Sequence, residues 1–221
     1  MILPSVADHA FASGPVFKQP KGFLDALQET RGLREARLLL AVWSQFSRGG
    51  KIGEGVMLST NARLINLGDQ EDVIIAENAV VRGTLRNERG GRIEIQKDVY
   101  VGDDVILSSA SNILVGNETL LAHGVQVFDN DTHPLDPERR SEHFRMIRGM
   151  EAPRPVDVGA ARVIIGERCW IGMHALIFKG VTIGDETVVA GGSVVVGDLP
   201  PQVIAAGNPA RPIKELTRQS G

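Results

Sequence analysis

The sequence predicts an all-β fold: a three-sided parallel β-helix with an N-terminal helical cap, an inserted loop and a short C-terminal helix or extended arm. Three observations predict it. Six-residue units repeat along the C-terminal half, apolar residues before residue 50 recur at helical spacing, and the repeat is interrupted at "VFDNDTHPLDPERR", residues 127–140. We therefore expect a cap over 1–50, a solenoid over 51–206 with an insertion at about 129–162, and an arm over 207–221.

The N-terminal helix is predicted from its periodicity. Leu33, Ala36, Leu40 and Trp43, together with Leu39 and Phe46, follow the spacing of an amphipathic helix. Two glycines stand where such a helix would end. The open end of a solenoid exposes unpaired strand edges, so we interpret this helix as a cover for the first coil. Weak binding to a membrane surface is the alternative use of its apolar face.

The repeat is clearest from Ile165 onward. Six consecutive units begin with Ile or Val, their fifth position is mostly small or β-branched, and glycine often stands second. Such a pattern is a strong signal of a solenoid in which three units complete one coil. Residues eighteen apart then stack at a spacing of about 4.8 Å, and glycine serves corners with positive φ. The predicted inward ladders pair Ile165 with Ile183, Ile171 with Val189 and Ile177 with Val195.

The same register continues upstream in units that start at Ile95 and Val115, and it becomes irregular towards Ile52. Two additional residues separate the coils that begin at Ile95 and Val115. We expect Asn112, Ile113 and Leu114 to bulge at one edge, because insertions in solenoids fall at corners and leave the stack intact.

Composition limits the classes of function. A formal net charge of -3 and a pI near 6.0 leave no basic footprint for nucleic acid, so an anionic ligand needs a local cluster of cations. The apolar run at 38–43 is too short to span a membrane, and no leader pattern is found, so we expect a cytoplasmic protein. The single cysteine, Cys169, excludes an internal disulfide and a multi-cysteine metal site.

The hexads from Ile165 and the "AGNPARPIKEL" that follows them resemble the C-terminal half of the hexapeptide-repeat acetyltransferases. The "DTHPLD" at 131–136 resembles the active-site element of their sugar O-acetyltransferase branch, which is like the maltose and galactoside acetyltransferases. The resemblance covers residues 95–215 well and the N-terminal part poorly. It implies a left-handed β-helix, a homotrimer, acetyl-CoA as co-substrate with no required metal, and transfer to a hydroxyl of a sugar or polysaccharide precursor.

This resemblance makes His133 the candidate general base. A solenoid has flat faces, so a catalytic group needs an excursion that projects towards a neighbouring subunit. A sugar hydroxyl becomes a competent nucleophile as its proton is removed, and a neutral imidazole suits that transfer. A surface histidine in a proline-containing turn is the structural alternative. His123 and His174 occupy outward corner positions, while Cys169 falls in the small inward column as an apolar filler, which favours direct transfer without an acyl-enzyme.

The resemblance also implies the cofactor-binding residues around the acetyl group. Trp170 would form a wall of the transfer site, be buried between subunits, or both. Gly172, Gly191 and Gly192 would let backbone N–H groups approach the pantetheine arm and the thioester carbonyl, although each could equally be a turn glycine. A donor aimed at the developing oxyanion contributes about 3 kcal/mol.

The tail resembles the family element near the nucleotide end of coenzyme A. By that resemblance, Arg211 and Lys214 would bind the phosphates. Relatives often carry a lysine where Gly197 stands, so one contact to the nucleotide is in doubt.

The acceptor site is less well defined by the resemblance. Relatives often place an asparagine on the coil before the histidine, and this sequence has Asp103 and Asp104 in that region. Together with Asp131 they are the candidate substrate-binding residues. The inserted loop is also rich in arginine, with Arg139, Arg140, Arg145 and Arg148. These side chains could form a solvated face, or they could bind an anionic or nucleotide-linked sugar.

Two other classes of function fit the predicted fold. A zinc-dependent carbonic anhydrase on this solenoid needs three histidines that converge on one metal at a subunit edge. His123, His133 and His143 are candidates by number, but the expected paired-histidine pattern and a long C-terminal helix are absent from the sequence. The third class is a non-catalytic solenoid that only binds partners, and the intact "DTHPLD" argues against it.

Overall fold

The computed structural model describes residues 14–216 of the 221-residue chain. Its strands wind as a left-handed parallel β-helix with three sheets as its walls, so the predicted fold class is confirmed. The predicted cap before residue 14 and the predicted arm after residue 216 lie outside the described residues. The domain boundaries at 50/51 and 206/207 stay a prediction.

The first wall is a nine-stranded sheet, and the other two walls have six strands each. The first contains β1 (Val16–Phe17), β3 (Met57–Ser59), β6 (Val80–Val81), β9 (Tyr100–Val101), β12 (Leu120–Leu121), β15 (Trp170–Ile171), β18 (Val188–Val189), β20 (Val203–Gly207) and β21 (Ala210–Glu215). The second contains β2 (Lys51–Ile52), β5 (Val73–Ile75), β8 (Ile93–Ile95), β11 (Ile113–Val115), β14 (Val163–Ile165) and β17 (Thr182–Ile183). The third contains β4 (Arg63–Asn66), β7 (Thr84–Asn87), β10 (Ile106–Ser109), β13 (Gln126–Phe128), β16 (Leu176–Ile177) and β19 (Val194–Val195).

Stacked aliphatic side chains form the core inside the three walls. Strand pairing confirms the predicted ladders: Ile165 with Ile183, Ile171 with Val189 and Ile177 with Val195. All six side chains are buried. Full burial of one such side chain contributes about 1.5–3 kcal/mol, so the ladder is a main source of stability.

The glycines at the second position of the repeat have a different role from the predicted one. Gly172 and Gly184 do not adopt positive φ. A Cβ atom on Gly172 would lie 2.5 Å from the backbone nitrogen of Gly191, and one on Gly184 would lie 2.4 Å from that of Pro201. Glycine is therefore required here because successive coils approach closely, whereas several corners with positive φ carry other residues, such as Asp104.

Two helices precede the solenoid, α1 (Phe23–Glu29) and α2 (Leu33–Gly49). Helix α2 ends where the two glycines predict, and it packs against the early strands β3 and β4. Leu39 and Phe46 are buried as predicted, but the buried face of α2 also includes Val42, while Leu33 is 57% exposed. A short 3-10 helix follows at Gln70–Asp72.

The two-residue insertion lies earlier than predicted. Ile113 and Leu114 do not bulge, since they belong to β11, which pairs with β8 and β14. The extra residues form the corner at 110–112 instead, where the backbone wraps around a buried carboxylate described below. The expectation of a bulge at 112–114 is therefore wrong for its last two residues, because apolar side chains are retained in the ladder.

The C-terminal segment is the extended form of the predicted arm. Strand β21 turns back antiparallel along β20 and so joins the edge of the first wall. Among residues 14–216, no helix combines the length and the apolar character that a membrane span requires.

Candidate active site

Two clefts contain the predicted base His133 and two of the three predicted substrate-binding residues, Asp103 and Asp104. The Trp170 cleft, of about 860 Å³, is lined among others by Arg82, Tyr100, Asp103, Asp104, His123 and Trp170. The His133 cleft, of about 940 Å³, lies against the third wall and the inserted segment, and its lining includes His133, His143, Asn130 and Arg86. Thr84 lines both clefts. Within one chain, the predicted base and the predicted acceptor residues Asp103 and Asp104 therefore lie on different surfaces.

The inserted segment leaves the solenoid after Phe128 and rejoins it at Val163, as the register predicts. Its two ends are tied together, because the Asp131 N–H donates to the Val158 carbonyl (2.9 Å) and the Ala161 N–H donates to the Asp129 carbonyl (2.7 Å). The insertion therefore projects from a closed neck, and the core ladder stays continuous beneath it.

The insertion is predicted as a loop, but the structure shows that it contains helix α3 (Pro137–Ile147). The Asp136 carboxylate accepts a hydrogen bond from the Arg139 N–H (2.9 Å), and Pro137 follows as the first helical residue. These are the usual helix-start signals, so "LDPERR" could have predicted the helix. His143 lies on α3, opposite His133.

Asp129 is a buried carboxylate that is not among the residues predicted from the sequence. It is 0% exposed. Its Oδ1 accepts from the Ala110 N–H (2.7 Å) and the Asn130 amide (3.0 Å), and its Oδ2 accepts from the Ser111 N–H (2.9 Å) and the Ser109 hydroxyl (2.7 Å). Four donors compensate for the loss of solvation, and they join the corner at 110–112 to the neck of the insertion. The available signal is that Asp129 follows Val127 by two residues and so falls on the inward side of the strand.

The backbone around His133 is held by its neighbours. The Asn130 side-chain oxygen accepts from the Thr132 N–H (2.9 Å), and the His133 N–H donates to the Asp131 carbonyl (2.7 Å). Thr132 has a φ of 62°, which is unusual for a β-branched residue and marks a constrained turn. These contacts fix where the imidazole leaves the backbone.

The ring of His133 meets the ring of His143. Their Nδ1 atoms are 3.2 Å apart and their ring centroids are 5.0 Å apart. Within residues 14–216, Nε2 of His133 has no hydrogen-bond partner. Burial, and secondly the charge of a protonated His133, lower the pKa of His143, which favours its neutral form.

Asp131 lies beside His133, but its carboxylate is already engaged. The Lys179 ammonium binds Asp131 Oδ2, and this pair ties the insertion to the coil that carries β16. Gly159 packs against the pair, since a Cβ atom there would be 2.9 Å from Lys179 Nζ and 3.0 Å from Asp131 Oδ2. The structure therefore gives Asp131 a role in positioning, and its predicted role in substrate binding stays a prediction.

The Trp170 cleft collects three of the predicted residues. Trp170 is 54% exposed on the outer face of β15, directly beside Leu120, which in turn lies beside Tyr100. Asp103 Oδ2 accepts from Arg82 Nε at 3.0 Å, whereas Asp104 is exposed. Tyr100 and Arg82 are not among the residues predicted from the sequence. Only the twenty-residue spacing from Tyr100 to Leu120 indicates that these two side chains stack in one column.

The three predicted cofactor glycines differ in their backbone N–H groups. The Gly172 N–H donates to the Val189 carbonyl (2.7 Å), and the Gly192 N–H donates to the Met173 carbonyl (2.8 Å), so both serve the solenoid. The Gly191 N–H has no acceptor among residues 14–216. Gly191 therefore offers a backbone donor that a ligand can use.

Arg211 and Lys214 both lie on β21 and both are exposed. Arg211 donates to the carbonyl of Ala210 (2.9 Å), and the described residues provide no carboxylate partner for either side chain. Both cations are therefore exposed on the same short strand, where an anionic ligand can reach them.

Cys169 is buried in the inward column, as predicted. Burial, the largest effect, raises the pKa of its thiol, and the Sγ–H donates to the Gly184 carbonyl (3.2 Å). A thiolate is the nucleophilic form, so this environment disfavours nucleophilic chemistry at Cys169.

Most of the loop arginines serve the loop itself. Arg140 donates to the carbonyls of Pro134 and Leu135, Arg145 pairs with Glu151, and the Arg148 guanidinium lies over the Phe144 ring. Arg139 contributes its backbone N–H to the start of α3. These contacts favour the interpretation of a structural and solvated face over that of an anion site.

Comparison with known proteins identifies the family. A family model described as "Hexapeptide repeat of succinyl-transferase" matches residues 162–196. The putative colanic acid biosynthesis acetyltransferase WcaF of Escherichia coli is 31% identical over 141 residues, which cover 64% of this chain and 68% of that protein. The chain belongs to the hexapeptide-repeat acetyltransferase family.

Two further acetyltransferases are similar to this chain. Galactoside O-acetyltransferase of Escherichia coli is 31% identical over 142 residues, covering 64% of this chain and 63% of that protein. A putative acetyltransferase of Saccharomyces cerevisiae is 31% identical over 143 residues, covering 65% of this chain and 66% of that protein. The chain therefore spans slightly less than two thirds of the length of these two relatives.

Solved structures share the hexapeptide-repeat fold. A maltose O-acetyltransferase from Clostridium difficile superposes with a TM-score of 0.54 at 24% identity, covering 89% of this chain and 85% of that chain. A mutant of AntD, an N-acyltransferase from Bacillus cereus in complex with dTDP and coenzyme A, gives a TM-score of 0.60 at 21% identity, covering 76% and 84%. At these identities the likeness establishes the fold alone.

The three histidines considered for a zinc site are divided in this member of the hexapeptide-repeat family. His133 and His143 face each other in one cleft, while His123 lines the other cleft, where its ring meets His174 edge-on at 5.4 Å. Within the part of the chain that the structure describes, no three His, Cys, Asp or Glu side chains are grouped to hold a metal ion.

Proposed function

We propose that this chain is an acetyl-CoA-dependent O-acetyltransferase that modifies a hydroxyl of a sugar or a polysaccharide precursor. The observation that carries the proposal is His133, held on a constrained turn with Nδ1 engaged by a second imidazole and Nε2 without a partner among residues 14–216. The relatives support the chemistry, since one is a galactoside O-acetyltransferase and another is a putative colanic acid biosynthesis acetyltransferase.

The proposed reaction is a direct transfer in a ternary complex. Nε2 of His133 takes the proton of the acceptor hydroxyl as the oxygen attacks the thioester carbonyl carbon. The C–S bond of the tetrahedral intermediate then breaks, and the departing sulfur of coenzyme A takes the proton back from the imidazolium. The buried thiol of Cys169 supports a mechanism without an acyl-enzyme.

The proposed cofactor site follows the C-terminal coils. Trp170 would wall the acetyl-transfer site, with Gly172 and Gly192 allowing close approach of the pantetheine arm. The unengaged N–H of Gly191 is the best candidate among these glycines for a donor to the thioester oxygen. Arg211 and Lys214 would bind the phosphates of coenzyme A. The AntD structure shares this fold and contains bound coenzyme A. That observation supports acyl-CoA as the co-substrate of this chain.

The acceptor would be held by carboxylates, and the structure favours one of the three candidates. Asp103 is paired with Arg82, and Asp131 is paired with Lys179. Asp104 is exposed in the Trp170 cleft with no ion-pair partner among residues 14–216. We therefore expect Asp104 to contact acceptor hydroxyl groups directly, while Asp103 and Asp131 act through their ion pairs with Arg82 and Lys179.

The proposed function is tested by assaying the purified chain with acetyl-CoA and a panel of mono-, di- and oligosaccharides and nucleotide-linked sugars. Release of the free thiol of coenzyme A measures turnover, and mass spectrometry of the product identifies the acetylated group. We expect an ester on a sugar hydroxyl. Transfer only to amino sugars, as an amide, would contradict the O-acetyltransferase assignment, and no transfer to any acceptor would contradict the proposed class.

A homotrimer would complete the site. The predicted base and the residues of the Trp170 cleft lie on different surfaces of one chain, so a neighbouring copy is needed to bring them together. Both surfaces carry exposed apolar side chains suited to burial between subunits: Leu120, Trp170 and Met173 on the solenoid, and Phe144 and Ile147 on α3. Closed cyclic symmetry is the usual way in which such surfaces are satisfied.

The trimer is tested by light scattering on the eluting protein. We expect three times the 23.8 kDa mass of one chain. Trp170→Glu places a charge in the proposed interface and should shift the mass towards one chain, whereas Leu24→Glu, at an exposed leucine of α1, should not. A wild-type protein that stays a monomer at micromolar concentration would contradict the shared site.

A further inference from the structure

The contact between the rings of His133 and His143 limits which ring nitrogen of His133 carries its proton. Two neutral imidazoles whose Nδ1 atoms are 3.2 Å apart can share one hydrogen bond, in which one Nδ1 donates and the other accepts. If His133 donates, its Nε2 is an unprotonated acceptor. If His143 donates, the proton of His133 is on Nε2 and the ring cannot act as a base there.

We propose that His143 is a positioning residue, which accepts a hydrogen bond from the Nδ1–H of His133 and so keeps Nε2 of His133 free to take the acceptor proton. This inference rests on the proposed function. A hydrogen bond at one nitrogen of a neutral imidazole determines which tautomer the ring adopts, and so whether the other nitrogen is protonated.

The two carboxylates that line the same cleft already have partners. Glu88 and Asp157 line the same cleft, but Glu88 pairs with Arg86 at 2.6 Å and Asp157 Oδ1 accepts from the Gly159 N–H at 2.8 Å. Among residues 14–216, His143 is thus the only partner of the His133 ring.

The surroundings of His143 suit an acceptor. Helix α3 holds it, and Arg140 of the same helix is tied to the turn after His133 through the carbonyls of Pro134 and Leu135. Partial burial lowers the pKa of His143 and so favours the neutral ring, which can accept. When His133 becomes an imidazolium during the reaction, a neutral His143 stabilises it through a charge-assisted hydrogen bond.

Two substitutions separate the hydrogen bond from packing. His143→Phe keeps an aromatic ring but removes the acceptor, and we expect kcat to fall about tenfold while the KM for acetyl-CoA stays unchanged. His143→Gln supplies a side-chain oxygen as an alternative acceptor and should recover most of the loss. Ser141→Ala, at an exposed position of α3, is the matched control and should keep wild-type activity. Phe and Gln variants with equal activities would overturn the proposal.

Nitrogen-15 NMR of the labelled protein tests the tautomer directly and needs no substrate. We expect neutral His133 to carry its proton on Nδ1, and a proton on Nε2 would overturn the proposal even in an active enzyme. Wild-type protein without transferase activity would instead count against the proposed function. Two imidazole nitrogens at this distance could also chelate a cation, so the assay is repeated with a chelator. Activity that is lost with the chelator and restored by zinc would overturn the proposal.

Discussion

Replacement of His133 by alanine lowers the turnover of acetyl transfer by about 10²- to 10⁴-fold, while the Kd for coenzyme A changes little. The expected split follows from the structure, because His133 is on the inserted segment and the proposed phosphate ligands Arg211 and Lys214 are on β21. Steady-state kinetics measure the first quantity, and calorimetry measures the second.

A second histidine provides the control for this result. His174 lies at an exposed corner with a φ of 55°, a conformation that asparagine tolerates, so His174→Asn should keep the fold and near-wild-type turnover. A His133→Ala variant that is as active as the wild type would reduce "DTHPLD" to a turn and would limit the insertion to a role in binding.

Removal of both exposed cations of β21 weakens the binding of coenzyme A by about two orders of magnitude. A charge-assisted hydrogen bond contributes about 1.5–3 kcal/mol, and because Arg211 and Lys214 are exposed we take the lower end for each. Two such contacts correspond to about a 10²-fold change in Kd. The Arg211→Ala, Lys214→Ala double variant is measured by calorimetry, and its turnover at saturating acetyl-CoA should stay near the wild-type value.

The matched control removes the same charge at the other end of the chain. Lys18 and Lys21 are exposed and lie before α1, so their double alanine variant changes the net charge equally without touching β21. Only the β21 variant should lose affinity, and its binding should depend less on salt than that of the wild type. Equal affinities in both double variants would show that the tail does not bind the phosphates.

The sequence determines the solenoid because its signal is local and repeated. An Ile or Val every six residues is readable without coordinates, and strand pairing confirms the ladder from Ile165 to Val195 residue by residue. The helix before the solenoid is equally local, and its end at two glycines is as predicted. The family is likewise indicated by short motifs, and the relatives confirm it.

The misplaced details all depend on contacts between coils. Whether Gly172 is needed for its φ or for space depends on the approach of Gly191, which is nineteen positions away. The corner at 110–112 forms where it does because the buried Asp129 carboxylate collects its N–H groups. The candidate site residues are predicted from short motifs that resemble those of the family. The roles of His133, Trp170, Arg211 and Lys214 stay predictions.

The sequence by itself determined the three-sided repeat, the place of its interruption and the choice of His133 as the candidate histidine there, because each depends on a short run of consecutive residues. Only the tertiary structure decided that His143 faces His133 and that Lys179 forms an ion pair with Asp131. It also decided that Asp104 and Trp170 lie in a different cleft from His133. The physical reason is that these relations join residues of different coils or of α3 across the insertion. Their distances depend on how the chain closes upon itself, which no local pattern of residues records.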